Sequence, residues 1–133
     1  DIFMLMHEYH GLFNKEFITA EDFKYLHLII HSYPHSTVSI HELFLSKKGI
    51  APEKISAIPL TEVGLEMVKA NMGVMCLPKW ALNSFQVPKE IAFKQISESC
   101  LKRTHSVVIR KEDYHKRYLK DFIQNIEEEF AIH

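Results

Sequence analysis

The sequence is short of glycine and cysteine, with four and two of them in 133 residues. With only Gly11, Gly49, Gly64 and Gly73 available, neither GxxxxGK[ST] nor GxGxxG occurs, so the usual phosphate-cradling loops are excluded. Cys76 and Cys100 are far apart and form neither a disulfide framework nor a zinc pattern, which predicts a reducing cytoplasm. No GxSxG turn is present and neither cysteine has a base beside it, so hydrolase chemistry has no support. A surplus of either charge is also missing: 16 Lys+Arg stand against 17 Asp+Glu, a formal net charge of -1. A domain that grips DNA by itself normally carries a basic surplus. No apolar run is long enough to span a bilayer and no signal-peptide pattern is visible, so no membrane partner is expected. The first residue is Asp1 and an apolar strand follows at once, which predicts a piece of a longer protein.

What is present suits a packed domain, or two small lobes. The chain is 47% apolar, with nine Phe and five Tyr. Ile2 to Met6 is apolar throughout and short, the signature of a buried strand. Thr19 to Asp22 resembles a cap before a short helical turn. His27 to Ser32 predicts a second strand, closed by Tyr33-Pro34. A helix opened by His35-Ser36-Thr37 is predicted to run to about Lys48 and stop at Gly49. Glu53 to Ile58 predicts a third strand. Thr61 is then expected to cap a helix through Asn71, with Asn71 and Gly73 ending it in left-handed conformations. Val74 to Leu77 is apolar at every position before Pro78, so this strand should be covered on both faces. Ile91 to Ile96 alternates and predicts a half-exposed strand, and Thr104 to Arg110 a β-branched one. Asp113 is expected to cap a last helix reaching Phe130, with Tyr118, Leu119, Phe122, Ile123, Ile126 and Phe130 on one stripe.

Nine histidines invite a metal hypothesis: His7, His10, His27, His31, His35, His41, His105, His115 and His133. None forms HxH, HExxH or a Cys/His cluster, and His27 and His31, four apart in a strand, are not a helical ligand pair. They read as scattered surface and partly buried side chains, and no metal or cofactor is expected. Ser36, Thr37 and Thr61 are different, because each stands at a predicted helix start that follows a strand. Simple N-capping accounts for any one of them. Two such starts in neighbouring strand-helix units lie on the same edge of a parallel sheet, where hydroxyls and free N–H groups converge on one anion such as a carboxylate. Trp80 and Phe85, after Pro78, line either a pocket or ordinary core.

The run MVKANMGVMCLPKWALNSF, from Met67 to Phe85, resembles the effector-binding domain of LysR-type transcriptional regulators. The order elsewhere agrees: His10-Gly11-Leu12-Phe13 in the place of a His-Pro-Leu-Ala loop, then Ile18-Thr19-Ala20-Glu21-Asp22-Phe23, a strand, and a helix opened by Ser/Thr. Gly11 departs from that pattern by replacing Pro. The stretch Met72 to Phe85, with Ile50-Ala51-Pro52, is similar to the methionine-biosynthesis regulator subfamily, whose members respond to homocysteine.

The resemblance implies an α/β fold like that of periplasmic binding proteins, a two-lobed regulatory domain represented here by a complete second lobe and the C-terminal part of the first. Residues 1–18 would be a strand and crossover from the first lobe, 19–90 the second lobe, and 91–133 the returning crossover strand, a further strand and the last helix. It implies a non-catalytic sensor whose amino-acid-like carboxylate effector, homocysteine or a relative, sits between the lobes against His35, Ser36, Thr37 and Thr61. DNA would be a partner only through a helix-turn-helix absent from this chain, and a homodimer or higher oligomer is expected. The alternative is a fragment of a periplasmic-type solute-binding protein.

Overall fold

The computed structural model describes residues 1–131. Asp1–Arg103 form one compact unit and Thr104–His133 a second. The first unit is built on a mixed five-stranded sheet. Its strands are β1 (Ile2–His7), β2 (His27–Ile30), β3 (Lys54–Ala57), β4 (Val74–Pro78) and β5 (Ile91–Gln95), ordered β3-β2-β4-β1-β5. β2 runs parallel to β3 and β4, while β1 is antiparallel to both β4 and β5. The three parallel strands follow from the helical crossovers between them, because parallel neighbours cannot be joined by a hairpin.

Strand periodicity divides the apolar residues between two faces. Met4 and Met6 of β1, Leu28 and Ile30 of β2, and Val74 of β4 pack on one face with Phe23, Ile40, Phe44 and Leu45. Leu5, Ile29 and Met75 point to the other, where Leu65 and Val68 cover them. The continuous apolar run of β4 is thus covered on both sides, as its composition predicts. Cys76 packs on the first face, and burial pushes its thiol well above the usual range, so it stays an unreactive apolar group.

The connections differ from expectation in several places. The helix predicted from His35 begins later. His35–Thr37 is a 3-10 turn, Val38 is extended (φ -76, ψ 133), and the helical stretch is 39–48. It contains a π-helical turn, His41–Leu45, followed by α1 (Ser46–Lys48). Gly49, at φ 64, ends it in the left-handed conformation that glycine adopts without strain. The next helix, α2, covers Thr61–Lys69, and its N-cap is Leu60 (φ -92, ψ 117) rather than Thr61. The turn into β4 uses a left-handed Asn71 (φ 56), whereas Gly73 serves close approach of backbones. Thr19 does not cap in the expected sense either. Its N–H and hydroxyl both donate to Asp22, whose carboxylate also pairs with Lys15 at 2.6 Å. Burial alone would raise the Asp22 pKa, but the Lys15 ammonium and the Thr19 donors hold it below its ordinary 3.8.

In the second unit, residues 104–110 form no strand, and Val108 is exposed. Among the described residues no neighbouring strand pairs with this segment, and β-branched composition cannot replace a ladder partner. A 3-10 turn (Lys111–Asp113) precedes α3 (Arg117–Ala131). Asp113 is therefore outside the helix. Its carboxylate accepts from Arg110 Nε at 3.1 Å and pairs with Lys116. The predicted stripe lies on α3, with Leu119, Ile123 and Ile126 half-buried and Tyr118, Phe122 and Phe130 exposed.

Candidate functional site

Parallel strands end together, so their carboxyl ends gather the residues that follow each of them. β2 delivers His31 and the 35–37 turn to this edge, β3 delivers Leu60 and Thr61, and β4 delivers Lys79. β1 is antiparallel, so its first residues share the edge: Ile2 is paired with Pro78 at the end of β4. The segment after β5 also arrives here, because Ile2 N–H donates to Leu101 O at 2.7 Å.

Of the sequence-predicted residues, Thr61 has the most definite environment. Its Oγ1 lies 2.9 Å from His31 Nε2, a hydrogen bond that ties the start of α2 to the end of β2. Thr61 is thus engaged by a side chain instead of capping its own helix. Thr37 Oγ1 donates to Pro34 O at 2.9 Å, which closes the 3-10 turn. Ser36 is exposed and its hydroxyl has no partner among the described residues. The His35 ring stands edge-on to His41, centroids 4.8 Å apart at 90°. His41 Nδ1 is buried without a hydrogen bond, beside a cavity of about 10 Å³ lined by His35, Val38 and Ile40 among others. That volume is close to the least that admits one water. His35 is therefore partly a packing residue for the helical stretch.

His31 was weighed in the sequence only as half of a His27/His31 ligand pair and set aside. The available signal was its position, the first residue beyond an apolar parallel strand. Phe85 packs against the second core face, as one of its two readings had it, while Trp80 is 39% exposed. No group of three or more His, Cys, Asp or Glu able to hold a metal exists among the described residues. His133 lies outside those residues. Lys79 rests on aromatic faces at this edge, 4.8 Å from the Phe3 ring centroid and 5.3 Å from that of Phe93. The opposite edge holds an open depression lined by Glu8, Tyr9, His10, Phe13 and Asn14. His10 Nδ1 accepts Leu12 N–H there, and burial followed by the nearby His7 lowers the His10 pKa. Among the described residues no helix is long and apolar enough to cross a membrane.

The architecture and the chain both have relatives. The profile of the LysR substrate binding domain matches residues 1–131. The HTH-type transcriptional regulator MetR of Escherichia coli (strain K12) is 29% identical over 99 residues, which are 74% of this chain and 31% of that protein. MetR of Salmonella typhimurium (strain LT2) is 27% identical over 124 residues, 93% of this chain and 38% of that protein. The chain therefore spans about a third of the length of these curated relatives. The solved regulatory domain of MetR, a LysR family regulator from N. meningitidis, superposes with a TM-score of 0.82 at 27% identity, covering 98% of this chain and 61% of that one. The BenM effector binding domain with its effector benzoate shares the fold, with a TM-score of 0.58 at 20% identity over 71% of this chain and 44% of that one. The chain belongs to the LysR substrate binding domain family, the effector-binding part of transcription regulators and not of enzymes.

Proposed function

We propose that this chain senses an amino-acid-like carboxylate, homocysteine or a close relative, for a LysR-type regulator of methionine or sulfur amino-acid metabolism. The observation that carries this reading is the hydrogen bond between His31 and Thr61, which draws the ends of β2 and β3 into one polar edge beside Ser36 and Thr37. Similarity to MetR proteins supports the choice of effector. In this reading residues 1–18 carry the chain out of a first lobe, residues 19–90 are the second lobe, and residues 91–133 return to the first. The effector's carboxylate meets His35, Ser36, Thr37 and Thr61, with the Thr37 hydroxyl exchanging its bond to Pro34 O for one to the carboxylate, and the effector's other end meets the first lobe. A ligand that binds one lobe arrangement more tightly than another shifts their populations, and DNA-binding domains attached to them follow. The exposed Tyr118 and Phe122 on α3 support association with a further protein surface, consistent with a dimer or higher oligomer.

The combined substitution Thr37→Ala and Thr61→Ala tests the site. Loss of hydrogen bonds to a charged group is expected to weaken L-homocysteine binding by about tenfold or more in calorimetry on the natural full-length protein. Unchanged affinity would overturn the assignment of these hydroxyls.

A further inference from the structure

The carboxyl edge of the parallel strands also holds a cation that the hydroxyl-based site does not use. Arg103 leaves the sheet two residues past the Ile2–Leu101 bridge. The backbone there is pinned twice, by Ile2 N–H to Leu101 O at 2.7 Å and by Leu101 N–H to Ile96 O at 3.1 Å. From this fixed root the guanidinium reaches Ser39 and donates to its Oγ. Ser39 is the first residue of the helical stretch 39–48 and follows the His35–Thr37 turn closely. No carboxylate pairs with Arg103 among the described residues, although Asp1 and Glu62 adjoin residues of the same edge.

That arrangement is electrostatically incomplete. The first helical bond runs from Glu42 N–H to Val38 O, so the N–H groups of Ser39, Ile40 and His41 precede the ladder. They place partial positive charge where Arg103 places a full one, and like charges repel. A single anion between them satisfies both. A guanidinium presents paired donors matched to the two oxygens of a carboxylate, and one donor is already spent in aiming the group through Ser39. Because Ser39 Oγ accepts from Arg103, its own proton is free to donate, as is that of Ser36.

We propose that Arg103, oriented by Ser39, is the charged residue that receives the carboxylate of the effector and so selects anionic over uncharged ligands. This deepens the proposed effector reading and rests on it for the identity of the ligand. Ser39 acts as a positioning residue and Arg103 as the contact.

The test uses the natural full-length protein, with L-homocysteine and its carboxylate-free counterpart 3-aminopropanethiol measured by calorimetry, and acetate followed by NMR at the Arg103 Nε–Hε signal. Arg103→Gln is expected to weaken homocysteine binding about tenfold or more and to leave the weak binding of the amine unchanged. Arg103→Lys should restore part of the loss, since the charge returns without the fork. Ser39→Ala should weaken binding less than Arg103→Gln. Equal homocysteine affinity in wild type and Arg103→Gln would overturn the proposal and leave the effector reading standing. If homocysteine fails to bind the wild type at all, that reading falls. In that case a saturable acetate shift at Arg103 Nε–Hε upholds the anion-binding role, and no shift overturns it. Thermal unfolding of the variants separates lost contact from lost structure, and an exposed Arg103 is expected to leave the transition unchanged.

Discussion

Phe23→Ala is expected to cost about 3–5 kcal/mol of unfolding free energy, the largest single loss that any one side chain here should produce. Phe23 is 0% exposed although it sits in a short 3-10 turn, Glu21–Tyr25. Its ring meets Phe44 nearly edge-on, with centroids 6.4 Å apart and planes at 70°. It packs in the same cluster as Met4, Leu28, Ile40 and Val74, so the turn, the helical stretch 39–48 and three strands share it. Alanine removes the transfer free energy of the ring and leaves a void that the pinned strands cannot close. Urea unfolding measures the effect, and a loss under about 1 kcal/mol would show that this cluster is not the core of the unit. A total stability of about 5–15 kcal/mol makes the expected loss a large fraction of what a domain has.

Gly73→Ala is expected to be the costliest small-to-large change, at about 1–3 kcal/mol or more. A Cβ at Gly73 would lie 2.8 Å from the backbone oxygen of His27 and 3.0 Å from Ile29 Cδ1. The carbonyl cannot swing away easily, because the His27 ring is itself a clamp. Its Nδ1 lies 2.7 Å from Met72 O and its Nε2 lies 2.8 Å from Ser56 Oγ, which joins β2, β3 and the turn before β4. The carbonyl acceptor requires Nδ1 to carry a proton. Gly11→Ala is the internal control, since nothing lies within 4 Å of its Cβ and its φ is not left-handed. Thermal unfolding should therefore shift clearly for Gly73→Ala and hardly at all for Gly11→Ala. Equal transitions would mean that the backbone approach at Gly73 is not a constraint.

Much of the sheet was legible because β1, β2 and β4 are short apolar runs, the last of them opening after Gly73 and ending at Pro78. Ile2 to Met6 and Val74 to Leu77 fall on strands, the strand predicted from His27 to Ser32 ends at Ile30, and the double-sided burial of β4 follows from its unbroken apolar run. Helix starts were less legible. Ser and Thr are good caps, but the Thr61 hydroxyl pairs with His31, the Thr37 hydroxyl and N–H both donate to Pro34 O, and Ser36 lies inside that 3-10 turn. Residues 104–110 have strand composition but no strand among the described residues pairs with them, a condition that local sequence does not encode. Arg103 went unremarked and His31 was weighed only as half of a metal pair, for a common reason. Each is unremarkable in its own segment and gains meaning only from the edge to which the topology carries it.

The most direct test of the central claim is the position of L-homocysteine in crystals of the natural full-length protein. Ligand density is expected at the carboxyl ends of β2, β3 and β4, with its carboxylate within hydrogen-bonding distance of Ser36, Thr61 or Arg103. Density at the opposite edge, beside Tyr9 and Phe13, or no density at saturating ligand, would contradict it.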